Sequence, residues 1–206
     1  MVGRFKKCQT FSGFLHGVFL LLTLSANCNS DLLHQTKAML REMQQEAEEL
    51  FNESFTEHDI PEDDCRRPYP NTTDSHKKSV IHRINESLLY FSKAFDVLLG
   101  RHDVSEYEHT VILTKERMKI KGLRSNLLTL LKQYNDSLEN MLDPHMCKML
   151  KTKFRLPNSE DIYGQKLECC QLINVYIDFL KVIHKIVLKL PSRRLRKHFF
   201  TNYMLI

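Results

Sequence analysis

The chain has 206 residues, of which 42% are hydrophobic and 27% are charged, and its formal net charge is +5. Seven of its basic residues lie in residues 1–26 and 191–206, which contain no acidic residue, so residues 27–190 carry a formal charge of −2. A body this close to neutral does not indicate nucleic acid as a partner.

The beginning of the chain has the pattern of an export signal. Basic residues at positions 4–7 are followed by the apolar run Phe11–Ala26 and then by small and polar residues. This apolar run is too short to span a bilayer comfortably, which favours a secretory signal peptide over the alternative of a lone N-terminal membrane anchor. We therefore expect residues 1–26 to be removed and the mature protein to be soluble, secreted and extracellular.

Export determines how the cysteines are interpreted, because thiols in an oxidising compartment usually form disulfides. Five cysteines follow the predicted signal peptide: Cys28, Cys65, Cys147, Cys169 and Cys170. Since five is odd, one thiol is expected to be free or to pair between chains.

Export also makes the four Asn-x-Ser/Thr sequons expected N-glycosylation sites. The acceptors are Asn52, Asn71, Asn85 and Asn135.

Four long segments have apolar residues at helical spacing. The first extends from Asp31 to about Glu57, and the second from Ser75 to Leu99, where Gly100 supplies a stop.

The third segment covers roughly residues 109–141 and is ended by Asp143-Pro144. The fourth begins after Asn158 or Ser159 and ends at Pro191. It is apolar around most of its circumference and is expected to be buried between neighbours, with Glu160 and Asp161 in its first turn.

The connections predict how these helices are arranged. No convincing period-2 alternation occurs, so strands are not expected. The connections at residues 58–74 and 142–158 are long and the one near residues 100–108 is shorter; long connections allow parallel neighbours, whereas short ones force antiparallel neighbours. We predict an all-α, long-chain four-helix bundle of up-up-down-down cytokine topology, with one domain at residues 27–190 and a basic tail at residues 191–206.

Motifs for catalysis are missing from the predicted helices. A di-iron bundle would need Glu-x-x-His motifs projecting inward, and none occurs within the four helical segments. The chain also has no His-Glu-x-x-His and no Gly-rich phosphate loop. We expect no enzymatic activity, no bound metal and no cofactor.

The adjacent cysteines Cys169 and Cys170 do not form a redox Cys-x-x-Cys motif. Neighbouring side chains on a helix point about 100° apart, which suits neither a shared metal nor a bond between the two. Counting around the helix places Cys169 on the apolar side and Cys170 at the border with the polar edge. Cys170 is then better placed to meet a loop, and Cys65 is the only cysteine in the first long connection.

Two further features have open interpretations. Gly122 lies opposite the apolar stripe of the third helix and costs about 1 kcal/mol relative to alanine. It is either a tolerated exposed position or a place where a partner approaches the backbone, next to Asn126 on the same face. The basic tail either provides solubility, binds heparan-type polyanions or is trimmed at Arg193-Arg194.

The stretch Tyr163-Gly-Gln-Lys166, followed by Cys170, Gln171, Leu172 and Tyr176, resembles the start of the fourth helix in the interleukin-6-type cytokines, in particular the branch of leukaemia inhibitory factor and oncostatin M. The family motif is Phe-x-x-Lys, so tyrosine stands here in place of phenylalanine. The resemblance implies that Tyr163 and Lys166 bind a second receptor chain, similar to the leukaemia-inhibitory-factor receptor. It also implies that Gln35, Gly122 and Asn126 bind a shared signalling receptor chain.

The same resemblance implies a disulfide between Cys65 and Cys170, and a Cys28–Cys147 bond is a further expectation. As a member of this family the protein would be a monomer that brings class I cytokine receptors together and activates Janus kinases and STAT factors. The alternative function is that of a secreted polyanion-binding or antimicrobial helical protein acting through its tail.

Overall fold

The computed structural model describes residues 31–52, 60–73, 78–101 and 107–191. In chain order the elements are α1 (residues 31–52), α2 (Glu62–Cys65), β1 (Asn71–Thr73), α3 (Val80–Leu99), α4 (Tyr107–Leu131), a 3₁₀ turn (Lys132–Tyr134), α5 (Asn135–Met141), α6 (Pro144–Lys151), β2 (Thr152–Phe154) and α7 (Ile162–Lys189). The described part of the chain is mostly helical, which confirms the all-α class.

The described residues belong to two units: Gln35–Leu190 form one, and residues 31–34 and Pro191 belong to the other. The predicted signal peptide, Cys28 and residues 192–206 of the predicted tail lie outside the described residues. No described helix is both long enough and apolar enough to cross a lipid bilayer.

Helix ends follow from local capping. Ser79 caps α3, because its Oγ accepts the N–H of His82 at 3.3 Å, and the helix begins at Val80. The predicted third helix is divided in the structure, where α4 ends at Leu131 and a 3₁₀ turn precedes α5. Before this break the Thr129 hydroxyl donates to the Ser125 carbonyl at 3.0 Å, a local bond that competes with regular helix geometry.

Asp143 has two roles that the sequence did not separate. It follows the end of α5, and its Oδ1 accepts the N–H of Met146 at 2.8 Å, with Pro144 in the first turn of α6. The Asp-Pro pair that was predicted only to end a helix therefore also begins one, within the long connection before α7.

The expectation of no strands was wrong. β1 and β2 form an antiparallel pair in which Asn71 lies opposite Phe154 and Thr73 opposite Thr152. Each strand has only three residues, too few to show an alternating pattern, and the partners are about eighty positions apart in the chain. Their pairing joins the ends of the two long connections.

The core of Gln35–Leu190 is aromatic at its centre. The ring of Phe91 lies 5.0 Å from that of Tyr176 and 5.1 Å from that of Phe179, measured between centroids. Phe95 meets Tyr176 edge-on at 5.0 Å, and Phe154 of β2 lies 6.2 Å from Phe91. Such tilted and edge-on arrangements are the favoured ones for aromatic pairs.

Polar side chains connect the long helices at the rim of this core. These ion pairs and hydrogen bonds are Lys119–Glu42 and Lys119–Glu46 (both 2.7 Å), Lys181–Glu48 (3.0 Å), His184–Gln44 (3.2 Å) and Arg124–Asn85 (2.6 Å). Arg117 also pairs with Asp96.

One carboxyl group is buried within the bundle. Glu116 of α4 is 0% exposed, and the hydroxyl of Tyr176 donates to its Oε2 at 2.7 Å. Burial, together with a hydrogen bond to Glu46, raises the pKa of Glu116 to about 8. The pKa of Glu46 is lowered, because its bonds to Glu116 and Lys119 outweigh its own burial. Glu116 is therefore neutral at neutral pH and lies beside the ionised Glu46.

Replacing Glu116 with glutamine should remove a pH dependence of stability. A raised pKa in the folded state stabilises the protein fully below the unfolded value of 4.5, and the contribution is lost as the pH rises towards about 8. The expected loss is about 1.4 kcal/mol per pH unit within that window. Urea unfolding between about pH 6 and pH 8 should show a loss of about 2 kcal/mol in the wild type and a smaller one in Glu116→Gln.

The matched control is Glu139→Gln, which changes an exposed glutamate and should keep the wild-type slope. Equal slopes in Glu116→Gln and the wild type would contradict a neutral Glu116.

Candidate functional site

The first turn of α7, which carries the motif residues, is fixed by side chains of the preceding loop. Asp161 caps the helix, and its Oδ1 accepts the N–H of Gly164 at 2.7 Å. Ser159 Oγ donates to the other oxygen of Asp161 at 3.2 Å. A Cβ on Gly164 would lie 2.8 Å from Asp161 Oδ2 and closer still to Ser159 Oγ, so a larger residue at position 164 would displace the capping side chains. The sequence placed Asp161 inside the helix; the structure makes it the cap.

Glu168 holds the same loop from the next turn of the helix. Its carboxylate accepts the backbone N–H groups of Asn158 at 3.0 Å and Ser159 at 2.9 Å. It also pairs with Arg101, just after α3, at 3.2 Å and with Arg155 at 3.7 Å. The side chains of Glu168 and Arg101 are each only 12% exposed. A single carboxylate therefore connects α7, the loop before it and the end of α3.

A disulfide joins the first long connection to α7, between Cys65 of α2 and Cys170, as the resemblance implied. Both cysteines are 0% exposed. The neighbouring Gln171 donates to the Asp64 carbonyl at 2.9 Å, so a hydrogen bond accompanies the covalent link. The helical count placed Cys170 at the border of the apolar face, where α2 covers it and buries it fully; Cys169 is half-buried as a residue, with its sulfur enclosed.

The remaining described thiols are unpaired. Cys169 is free, and burial of its sulfur raises the pKa of the thiol to about 12, which makes it unreactive. Cys147 of α6 is half-buried and has no disulfide partner among the described residues, so its expected bond to Cys28 stays a prediction. Only the count of cysteines pointed to that pairing, and Cys28 lies outside the described residues.

The strand pair lies directly before the loop that leads into α7. The N–H of Arg155 donates to the Pro70 carbonyl at 3.1 Å, which extends the contact between the connections beyond β1 and β2. The Tyr90 hydroxyl of α3 donates to the Arg155 carbonyl at 2.9 Å. Tyr69 is 2% exposed, and burial raises the pKa of its phenol to about 12. The backbone on both sides of this loop is therefore anchored.

On this anchored backbone the structure exposes large apolar side chains. Ile162 is 57% exposed and Tyr163 is 53% exposed, and Leu156 lies in the loop before them at 40%. Lys166 is half-buried one turn after Tyr163. Residues three apart are neighbours on a helix surface, so the structure brings together the two predicted residues Tyr163 and Lys166.

The second predicted group lies on α1 and α4. Gln35 is exposed, whereas Asn126 and Gly122 are half-buried. Gly122 is not the open position that the sequence indicated, because a Cβ there would lie 3.5 Å from the Met39 methyl group of α1. This separation is an ordinary van der Waals contact.

The four sequons differ in their surroundings. Asn52 and Asn71 are exposed, and Asn71 Nδ2 donates to the Tyr69 carbonyl at 2.8 Å. Asn85 is half-buried, and its Oδ1 accepts from Arg124 Nε at 2.6 Å. The side chain of Asn135 lies outside the described residues.

Within the described ranges, no group of three or more histidine, cysteine, aspartate or glutamate side chains could hold a metal ion. Comparison of the chain with protein-family models, with curated proteins and with solved structures finds no match. The resemblance to a cytokine family therefore depends on the motif residues themselves.

Sequence reasoning missed the residues that support the site. Glu168 lies in the same helical stretch as Tyr163, but its main partner Arg101 is 67 positions away, and nothing in the local pattern connects them. For Asp161 a local signal existed, because aspartate is one of the residues preferred at a helix N-cap, where its side chain accepts the N–H of the residue three positions later.

Replacing Glu168 with alanine should destabilise the protein by about 2–4 kcal/mol, because it leaves Arg101 and two backbone N–H groups without their acceptor. Urea unfolding measures the loss. Hydrogen exchange should accelerate most at the amides of Asn158 and Ser159.

Glu160→Ala is the matched control, since Glu160 is an exposed glutamate in the same loop. It should change stability by no more than about 0.5 kcal/mol. Similar effects from both substitutions would contradict the anchoring role of Glu168.

Proposed function

We propose that the protein is a secreted, monomeric four-helix cytokine that binds two class I cytokine receptor chains. The observation that carries the proposal is the exposure of Ile162 and Tyr163 on a helix start that is rigidly anchored. Large apolar side chains that are exposed together on one surface mark an interaction site, whereas single exposed ones are common. Anchoring of this kind preorganises a binding surface.

Contacts between the long helices support the bundle topology that we propose. Residue numbers rise along one helix as they fall along its partner in each of four pairs, which indicates antiparallel packing. The contacting residues are Met39–Gly122 and Glu42–Lys119 for α1 with α4, Gln44–His184 and Glu48–Lys181 for α1 with α7, Asn85–Arg124 and Asp96–Arg117 for α3 with α4, and Phe95–Tyr176 and Phe91–Phe179 for α3 with α7. In this proposal α1 and α3 run one way and α4 and α7 the other, as in the up-up-down-down bundles of long-chain cytokines.

The surface at the start of α7 is the proposed site for the second receptor chain, one similar to the leukaemia-inhibitory-factor receptor. Tyr163 would fill a pocket on the receptor as an aromatic anchor, and the cation of Lys166 would pair with an acidic group beside it. Tyrosine in place of the family's phenylalanine adds a hydroxyl, which needs a hydrogen-bond partner on the receptor when the pocket closes.

The proposed site for the shared signalling chain lies on α1 and α4. The pairs Met39–Gly122 and Glu42–Lys119 fix the register of these helices, and continuing it by one turn brings Gln35 level with Asn126. Gly122 would let the receptor approach the helix backbone between them. Two receptor chains held on separate faces would bring their Janus kinases together and activate STAT factors.

Replacing Tyr163 with alanine should weaken binding to the ectodomain of the second receptor chain about thirtyfold or more, because a central aromatic anchor is lost. Lys166→Ala should weaken it less. Surface plasmon resonance measures binding, STAT phosphorylation measures signalling, and far-ultraviolet circular dichroism should be unchanged.

The matched controls are Leu188→Ala and Lys185→Ala, which change exposed residues near the other end of α7. Binding that is equal in Tyr163→Ala and the wild type would overturn this site. Loss of all activity on deletion of residues 192–206 would instead favour the alternative, a polyanion-binding or antimicrobial protein that acts through its tail.

Gly122 allows a graded test of the shared-chain surface. Gly122→Ala should stabilise the helix by up to about 1 kcal/mol and leave binding nearly unchanged, because the added Cβ makes an ordinary contact with Met39. Gly122→Arg should weaken binding to the shared chain about tenfold or more, because the long side chain would hold the receptor surface away from α4. Equal binding by the arginine and alanine variants would remove Gly122 from the interface.

A further inference from the structure

A groove of about 400 Å³ lies between α3 and the segment that runs from the end of α6 through β2. This volume is within the range of small-molecule sites in proteins, about 300–1,000 Å³. The groove is separate from Tyr163 and Lys166 and from the α1–α4 surface, since none of their residues lines it.

The walls of the groove are apolar. Leu89 and Tyr90 contribute one wall from α3, and Leu150, Phe154 and Leu156 contribute the other. Tyr90 and Phe154 have their ring centroids 5.7 Å apart, and the Tyr90 hydroxyl is already bonded to the Arg155 carbonyl. Tyr90 therefore presents the apolar part of its ring. Leu89 is 39% exposed and Leu156 is 40% exposed, so the groove is open to solvent.

The rim of the groove is cationic. Four basic side chains line it, Arg83, Lys93, Lys151 and Lys153, against the single carboxylate of Glu86, so the net formal charge of the lining is +3.

Glu86 does not offset this charge within the groove. Its carboxylate accepts from Lys78 at 2.8 and 2.9 Å and lies 3.2 Å from His82. Lys93 and Lys151 are exposed and form no ion pair with any residue in the described ranges. Two lysine charges are therefore available at opposite walls of the groove.

We propose that this groove binds an amphiphile with an apolar chain and one anionic head group, of the fatty-acid type. The chain would lie along the leucine and aromatic walls, where its burial provides most of the affinity. The head group would lie between Lys93 and Lys151 at the rim. A sulfated polysaccharide fits less well, because it would leave the apolar walls uncovered by apolar groups. The proposal does not depend on the receptor function above.

The test uses the intact protein and the fluorescence of anilinonaphthalene sulfonate, an apolar aromatic probe with one negative charge. Dodecanoate should displace the probe, whereas dodecanol, which has the same chain without the charge, should do so only at about tenfold higher concentration. Calorimetric titration with dodecanoate gives its affinity directly. Displacement by heparin oligosaccharide as effective as that by dodecanoate would overturn the proposal, as would no displacement by dodecanoate.

Variants locate the site. Lys93→Gln combined with Lys151→Gln should weaken dodecanoate binding about tenfold, and Leu89→Asp should abolish it by placing a like charge at the apolar wall. The matched controls are Lys132→Gln combined with Lys185→Gln, which removes the same charge elsewhere, and Leu188→Asp. Unchanged affinity in Leu89→Asp with the native fold retained, or equal losses in the controls, would overturn the assignment to this groove.

Discussion

Helix α7 cannot be exposed to water, and the other described elements of the Gln35–Leu190 unit are arranged around that constraint. Apolar side chains point in nearly every direction along it, and twelve of its residues are buried. One neighbouring helix could cover only one side. The structure covers α7 with α1 and α3 as well as with the short α2 of the first connection. Burial of apolar surface on this scale is the main source of stability in such a fold.

Because the helices pack around α7, the long connections run across the surface. Three kinds of bond hold these connections in place. The Cys65–Cys170 disulfide is covalent, the β1–β2 pair uses backbone hydrogen bonds, and Glu168 contributes ion pairs and accepts two backbone N–H groups. All three lie near the start of α7. The helix start is therefore both well anchored and rich in exposed apolar side chains, the combination on which the proposed receptor site depends. The proposed amphiphile groove lies against the same strand pair and shares its rigidity.

The buried carboxyl group of Glu116 makes the stability of the fold depend on pH. Glu116 is buried and neutral; it accepts the hydroxyl of Tyr176 of α7, and beside it Glu46 pairs with Lys119 at the rim. A leucine at position 116 would have extended the apolar stripe of α4 without an ionisable group. The glutamate in that stripe was visible in the sequence, but Tyr176 and Glu46 were not visible as its partners, because they lie on two other helices.

The sequence by itself determined that the chain is helical, roughly where the long helices lie, and that Tyr163 and Lys166 share one helical turn, because helical periodicity and spacing are local properties. It also indicated Cys170 as a candidate to meet a loop, although it did not show that this contact buries Cys170 completely. Only the tertiary structure decided the β1–β2 pairing, the contact of Glu168 with Arg101, the closeness of Gly122 to Met39 and the groove beside Lys93. Each of these depends on residues far apart in the chain, which no local pattern of the sequence connects.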